Sequence, residues 1–233
     1  MRSRSRTVGA LAAIAVAILS ATSDVRAERV DVAIVLAIDE SGSVSDDNWI
    51  LQRDGLASAL ESVEFYNSIR SGYHGRTTVS VVTWSTTTHV SVPWTLASSR
   101  SDLRALADRI RSMRRVSNGM TCIARALKFS REYLVSSGWP RVAERMIIDV
   151  SGDGSENCND AKSDAILETE RSIANSMDVT INGLPILASE ADVDVWYEKN
   201  LIVGPSSFSL VVEGFADFER AMKIKLVREV SQR

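Results

Sequence analysis

Histidine, cysteine and proline are scarce in this chain, with two, two and four copies among 233 residues. The histidines, His74 and His89, fall in a loop and at an edge strand, and surface positions are expected for both. No imidazole therefore stands near a candidate site, either as a zinc ligand or as a general base. Cys122 and Cys158 are an isolated pair and read as a disulfide before a metal site, with two unpaired buried thiols as the other arrangement. Closing a loop of that length stabilises a fold by roughly 3–4 kcal/mol. There is no run of basic residues and the formal net charge is −3, which argues against nucleic acid or an anionic membrane as partner. Walker A loops, G-x-S-x-G elbows, internal repeats and low-complexity linkers are all missing. Apolar residues at 45% and charged residues at 24% remain ordinary for a globular protein.

The one unusual apolar run lies at the start. Arg2, Arg4 and Arg6 precede the alanine-rich stretch Val8 to Leu19, and Val25-Arg26-Ala27 places small residues at −3 and −1 of a cleavage site. This pattern predicts a secretory signal peptide over residues 1–27, too short in its apolar part to span a bilayer. Cleavage there removes four arginines and Asp24, taking the net charge from −3 to −6. The expected product is an exported protein, periplasmic or secreted, with no membrane span after cleavage and one domain over residues 28–233.

Val32 to Ile38 is a continuous aliphatic run and reads as a strand buried on both faces. Ser45 to Val63 reads as a helix capped by Ser45, and Thr77 to Trp84 as a strand. His89 to Trp94 is a shorter strand that Pro93 confines to an edge, paired to the preceding one through a turn at 85–88. Helices are expected over Ser101–Met113, Thr121–Ser136 and from Asn159 or Asp160 to Met177. Strands are expected over Val142–Val150 and Val179–Leu184. Residues 186–207 carry little pattern beyond a helix expected at Val193–Leu201. A last strand at Phe208–Val212 and a last helix at Phe215–Val230 follow, the helix striped by Phe215, Phe218, Met222, Leu226 and Val230. Strands alternating with helices imply an α/β, doubly wound, mostly parallel sheet covered on both faces, with one antiparallel edge strand.

Ligands of such sheets bind beyond the carboxyl ends of the strands. Asp39, Ser41 and Ser43 stand there at alternating positions, Thr121 opens a helix just after Gly119, and Asp153 lies between Gly152 and Gly154. Two carboxylates and three hydroxyls form a hard oxygen set suited to Mg²⁺, or to Ca²⁺ or Mn²⁺, and not to zinc.

Asp39-Glu40-Ser41-Gly42-Ser43 resembles the D-x-S-x-S motif of von Willebrand factor A-type domains, which carry a metal-ion-dependent adhesion site. Thr121 and Asp153-Gly154 are similar to that family's second and third elements, in order and in spacing, over roughly residues 29–230. Among its members, secreted bacterial proteins are the nearest resemblance. The third element departs from the usual threonine-aspartate-glycine, since Ser151 and Gly152 precede Asp153. This leaves Ser151, Asp153 and Ser155 to divide the ligand role, with Asp153 binding directly or through water. The resemblance implies that Asp39, Ser41, Ser43, Thr121 and Asp153 hold a divalent cation whose remaining position takes an Asp or Glu carboxylate of a protein partner. A Cys122–Cys158 bond would tie two of the three loops together.

The function that follows is cation-dependent protein binding of the adhesion type. The alternative is a metal-dependent, phosphohydrolase-like enzyme, disfavoured because no second aspartate follows two residues after Asp39 and no catalytic constellation is found. Of the neighbouring charges, Asp149 is expected to be buried, near the site or paired with an arginine such as Arg145. Glu40 is expected to be solvated or helix-facing, and Arg109, Arg111, Arg114 and Arg115 to form a solvated patch.

Overall fold

The computed structural model describes residues 28–158 and 162–232. The signal peptide expected over residues 1–27 and the helix cap expected at Asn159 or Asp160 lie outside the described residues. β1 (Val30–Asp39) is buried at every position but Asp31, because both of its faces are covered. Val32, Ile34, Leu36 and Ile38 point into one apolar cluster, and Ala33, Val35 and Ala37 into a second on the opposite face. That division is the period-two alternation of a strand with an apolar partner on each side.

β2 (Thr77–Trp84) and β4 (Ala143–Gly152) flank β1 in parallel, with β3 (Thr88–Ala97) antiparallel outside β2 and β5 (Val179–Pro185) parallel outside β4. The resulting order is β3-β2-β1-β4-β5. Pro93 sits on the edge strand, where its missing N–H costs no ladder bond. After β1 the chain builds outward to one side and then returns to place β4 on the other. The switch in direction opens a crevice at the carboxyl ends of β1 and β4.

On the first face pack α1 (Asp46–Glu61), α2 (Val63–Arg70), α3 (Arg100–Arg111) and α7 (Phe218–Ser231). The opposite face is covered by α4 (Ile123–Ser136), α5 (Ser163–Ser176) and α6 (Val193–Asn200). Each fully buried Leu, Ile or Phe in these layers contributes about 1.5–3 kcal/mol of transfer free energy, so the layers are held chiefly by apolar burial. No helix among the described residues is long and apolar enough to cross a membrane.

The expected fold class holds, with three local corrections. The helix expected over Ser45–Val63 ends at Glu61, because the Ser62 hydroxyl accepts from the Phe65 amide at 3.2 Å and starts α2 as a new helix. The strand expected at Phe208–Val212 is reduced to single bridges, Gly183 with Ser209 and Ile186 with Val212. The outer edge of β5 is shared there, since Val203 bridges Ile181 in the antiparallel sense. Two short segments competing for one edge leave neither a continuous ladder. Finally, α4 begins at Ile123, with Thr121 in the loop before it.

Candidate metal centre

β1 ends by turning on its own aspartate. The Ser41 amide donates to Asp39 Oδ1 at 2.7 Å, while the Gln52 side chain donates to the Asp39 carbonyl at 2.7 Å. The Gly42 amide donates to the Gly119 carbonyl at 2.8 Å, and a Cβ on Gly42 would stand 2.9 Å from the Asn118 carbonyl oxygen. Glycine is what allows the first and second loops to come so close.

Arg115 fixes this turn from outside. Its guanidinium donates to the Ser41 carbonyl at 2.5 Å, to the Glu40 carbonyl at 3.1 Å and to the Ser117 carbonyl at 3.0 Å, and it pairs with Asp46 at 3.0 Å. The expected solvated arginine patch is corrected at this residue, because a planar fork of donors suits converging carbonyls better than water does. Glu40 is likewise buried and not solvated; its Oε2 accepts from the Val116 amide at 3.1 Å.

The second and third loops are joined reciprocally. The Thr121 amide donates to Asn157 Oδ1 at 2.8 Å and the Asn157 amide returns to the Thr121 carbonyl at 3.0 Å. Glu156 accepts from the Ala124 amide at 2.7 Å, placing a carboxylate at the amino end of α4 where the helix field favours it. Cys122 and Cys158 are bonded, with Cα atoms 4.9 Å apart.

These supports bring the five expected residues into one cluster. Thr121 Oγ1 donates to Ser41 Oγ at 3.4 Å, Ser41 Oγ lies 3.1 Å from Ser43 Oγ, and Ser43 Oγ donates to Asp153 Oδ1 at 2.6 Å. Asp39, Ser41, Thr121 and Asp153 are buried, whereas Ser43 is exposed and marks the open side. Two carboxylate oxygens, Asp39 Oδ2 and Asp153 Oδ2, are buried without a hydrogen-bond partner. Burial raises the Asp39 carboxyl to about 7; the bonds from Ser41 oppose this and the Asp153 charge adds to it. Unpaired buried carboxylate oxygens beside hydroxyls, with no imidazole or free thiolate, fit a hard divalent cation.

Ser151 does not join them. It alternates with Gly152 and belongs to the opposite face of β4, where its buried hydroxyl has no partner. Ser155 contributes its amide to Glu190 at 2.7 Å. Asp149 is buried as expected, but its partner is Lys225 at 2.7 Å; Arg145 turns instead to the Glu229 carbonyl at 2.6 Å. Arg115, Glu156, Asn157 and Glu190 were missed as contributors. Only the polar density of SGDGSENCND pointed towards any of them.

The family described as "Protein of unknown function (DUF1194)" matches residues 29–233. The chain belongs to that family. A comparison with the curated proteins found no match. Among solved structures, this DUF1194 chain is similar to proximal thread matrix protein 1 from the mussel byssus, with a TM-score of 0.59 and 16% identity over 85% of this chain and 48% of that one. A form of the mussel protein with a zinc-occupied MIDAS motif matches with a TM-score of 0.58 and 17% identity, over 88% and 48% of the two chains. The vWF domain of the type V pili tip protein Mfa5 from Porphyromonas gingivalis matches with a TM-score of 0.57 and 12% identity, over 89% and 98%. The DUF1194 chain spans about half the length of the mussel proteins. At these identities the likeness is one of fold, and the fold is that of von Willebrand factor A-type domains.

Proposed function

We propose that this protein is an exported, divalent-cation-dependent binding module that engages an Asp or Glu carboxylate of a protein partner. The observation that carries this reading is the pair of unpartnered buried oxygens, Asp39 Oδ2 and Asp153 Oδ2, beside Ser41, Ser43 and Thr121. A cation bound there, Mg²⁺ or else Ca²⁺ or Mn²⁺, is balanced in formal charge by the two carboxylates, and with only neutral hydroxyls as its other donors it stays electrophilic enough to take a further carboxylate oxygen. Asp39 and Asp153 provide the anionic donors, the three hydroxyls provide neutral ones, and exposed Ser43 leaves an approach from solvent. The zinc-occupied motif of the mussel protein supports a divalent ion at the corresponding place. A disulfide and the pilus-tip neighbour are consistent with a location outside the cytoplasm.

Calorimetric titration of the wild-type chain and an Asp39→Ala variant with Mg²⁺, Ca²⁺ and Mn²⁺ tests the site. Binding by the wild type and a loss of at least a hundredfold in the variant are expected, on the order of removing one charged ligand. Absence of wild-type binding at millimolar ion overturns the reading. A partner captured from envelope extract should be released by EDTA; retention in EDTA would argue against a cation bridge.

A further inference from the structure

Tyr197 lies on α6, well away in sequence from the metal loops, and is fully buried. Its ring is admitted by two glycines on neighbouring strands. A Cβ on Gly183 of β5 would stand 2.7 Å from Tyr197 Cδ1, and a Cβ on Gly152 of β4 would stand 2.9 Å from the Tyr197 hydroxyl oxygen. Both are closer than side-chain carbons approach, so the phenol fills the slot these two positions leave open. The same Cβ on Gly152 would be 2.7 Å from Asp39 Oδ2. The slot thus leads across β5 and β4 and ends beside the Asp39 carboxylate.

Neither group at the end of the slot is satisfied. The Tyr197 hydroxyl and Asp39 Oδ2 are both buried and without a hydrogen-bond partner, and such groups are costly when left so. A phenol carries a proton to donate, whereas an ionised carboxylate oxygen only accepts. A donor and an acceptor, each lacking a partner and each held by packing, face the same small volume.

We propose that Tyr197 is a positioning residue of the metal centre, its hydroxyl donating to the ionised Asp39 carboxylate, directly or through one water, when a cation is bound. The inference rests on the cation reading above. The bond fixes the oxygen that the Ser41 amide leaves free. With no hydrogen-bond partner among the described residues, the hydroxyl serves the loaded site more than the fold.

The test compares the wild-type chain with Tyr197→Phe, which keeps the ring that fills the slot. Mn²⁺ affinity is measured by calorimetry, the bound ion by its electron paramagnetic resonance spectrum, and the fold by thermal unfolding in EDTA. The expected result is about tenfold weaker Mn²⁺ binding, an altered Mn²⁺ spectrum, and an unfolding midpoint in EDTA that is unchanged or raised. Equal affinity with an identical spectrum overturns the role of Tyr197 while leaving the cation reading intact. Weaker binding accompanied by a lowered midpoint in EDTA overturns it too, since the hydroxyl would then be structural. A wild-type chain that binds no Mn²⁺ overturns the cation reading and this inference together.

Discussion

A single methyl group is enough to test how tightly the floor of the site is built. Gly152→Ala would place a Cβ 2.7 Å from Asp39 Oδ2 and 2.9 Å from the Tyr197 hydroxyl. Alanine restricts the unfolded chain and on that ground alone would stabilise by about 0.4–1 kcal/mol. Overpacking of a rigid site costs about 1–3 kcal/mol and should win. The expected outcome is a net loss of stability in urea unfolding, with cation binding weakened at least tenfold because Asp39 is displaced. An alanine variant that is both more stable and fully competent for binding would show that the floor has slack. At this scale the sequence was readable where chemistry is local. Asp39, Ser41 and Ser43 are neighbours in the chain, and Thr121 and Asp153 sit at element ends where doubly wound sheets bind ligands. Arg115 was not readable in the same way, because its role depends on carbonyls 74 and 75 residues away. Tyr197 was hidden for a related reason: its function lies in a slot cut by glycines on two other strands.

Among the elements, α7 shows what an amphipathic stripe reveals and what it conceals. Phe218, Met222, Leu226 and Val230 are buried as their spacing requires, with Phe215 in the turn before them. The same buried face carries Lys225 and Glu229, both fully enclosed. Lys225 Nζ lies 2.7 Å from Asp149 on β4 and 2.6 Å from Glu229, and the Asn182 amide donates to Glu229 at 2.7 Å. Charges one turn apart look solvent-facing in a sequence, and only the approach of β4 and β5 shows that they are not. Lys225→Met should destabilise by about 3–5 kcal/mol, because it leaves two carboxylates buried with no cation between them. Combining it with Asp149→Asn should recover part of that loss, since one of the two charges is then gone. Equilibrium unfolding of the three proteins measures both effects, and a neutral Lys225→Met would mean that the triad contributes nothing to holding α7. The strand expected at Phe208–Val212 failed for a comparable tertiary reason. Its residues favour extended backbone, but the edge they reach is already partly taken by Val203.

At the level of the whole molecule, the proposed cation would compete with a proton for the same buried carboxylate. The chain is net acidic, so the acidic partner proposed above would need a positive charge to bind to. The metal-free protein meets the problem of its own buried acid by keeping it protonated: Asp39 is raised to about 7, chiefly by burial. In the unfolded chain the same group titrates near 3.8. Between those two values the folded protein holds the proton and the unfolded chain has lost it. Stability in EDTA should therefore fall as pH rises from about 4 through about 7, by an amount on the order of a few kcal/mol. A divalent cation bound as proposed would take the ionised carboxylate of the folded state and should reverse the trend, so that the gain in unfolding midpoint on adding Mg²⁺ is larger at pH 8 than at pH 5.5. Asp149 is also raised, first by burial and then by Glu229, and it contributes to the EDTA profile but not to the effect of the ion. An Asp39→Asn variant separates the two contributions. It should flatten part of the pH dependence in EDTA and abolish the Mg²⁺-dependent gain. A wild-type gain from Mg²⁺ that is equal at both pH values would show that Asp39 does not exchange a proton for the cation.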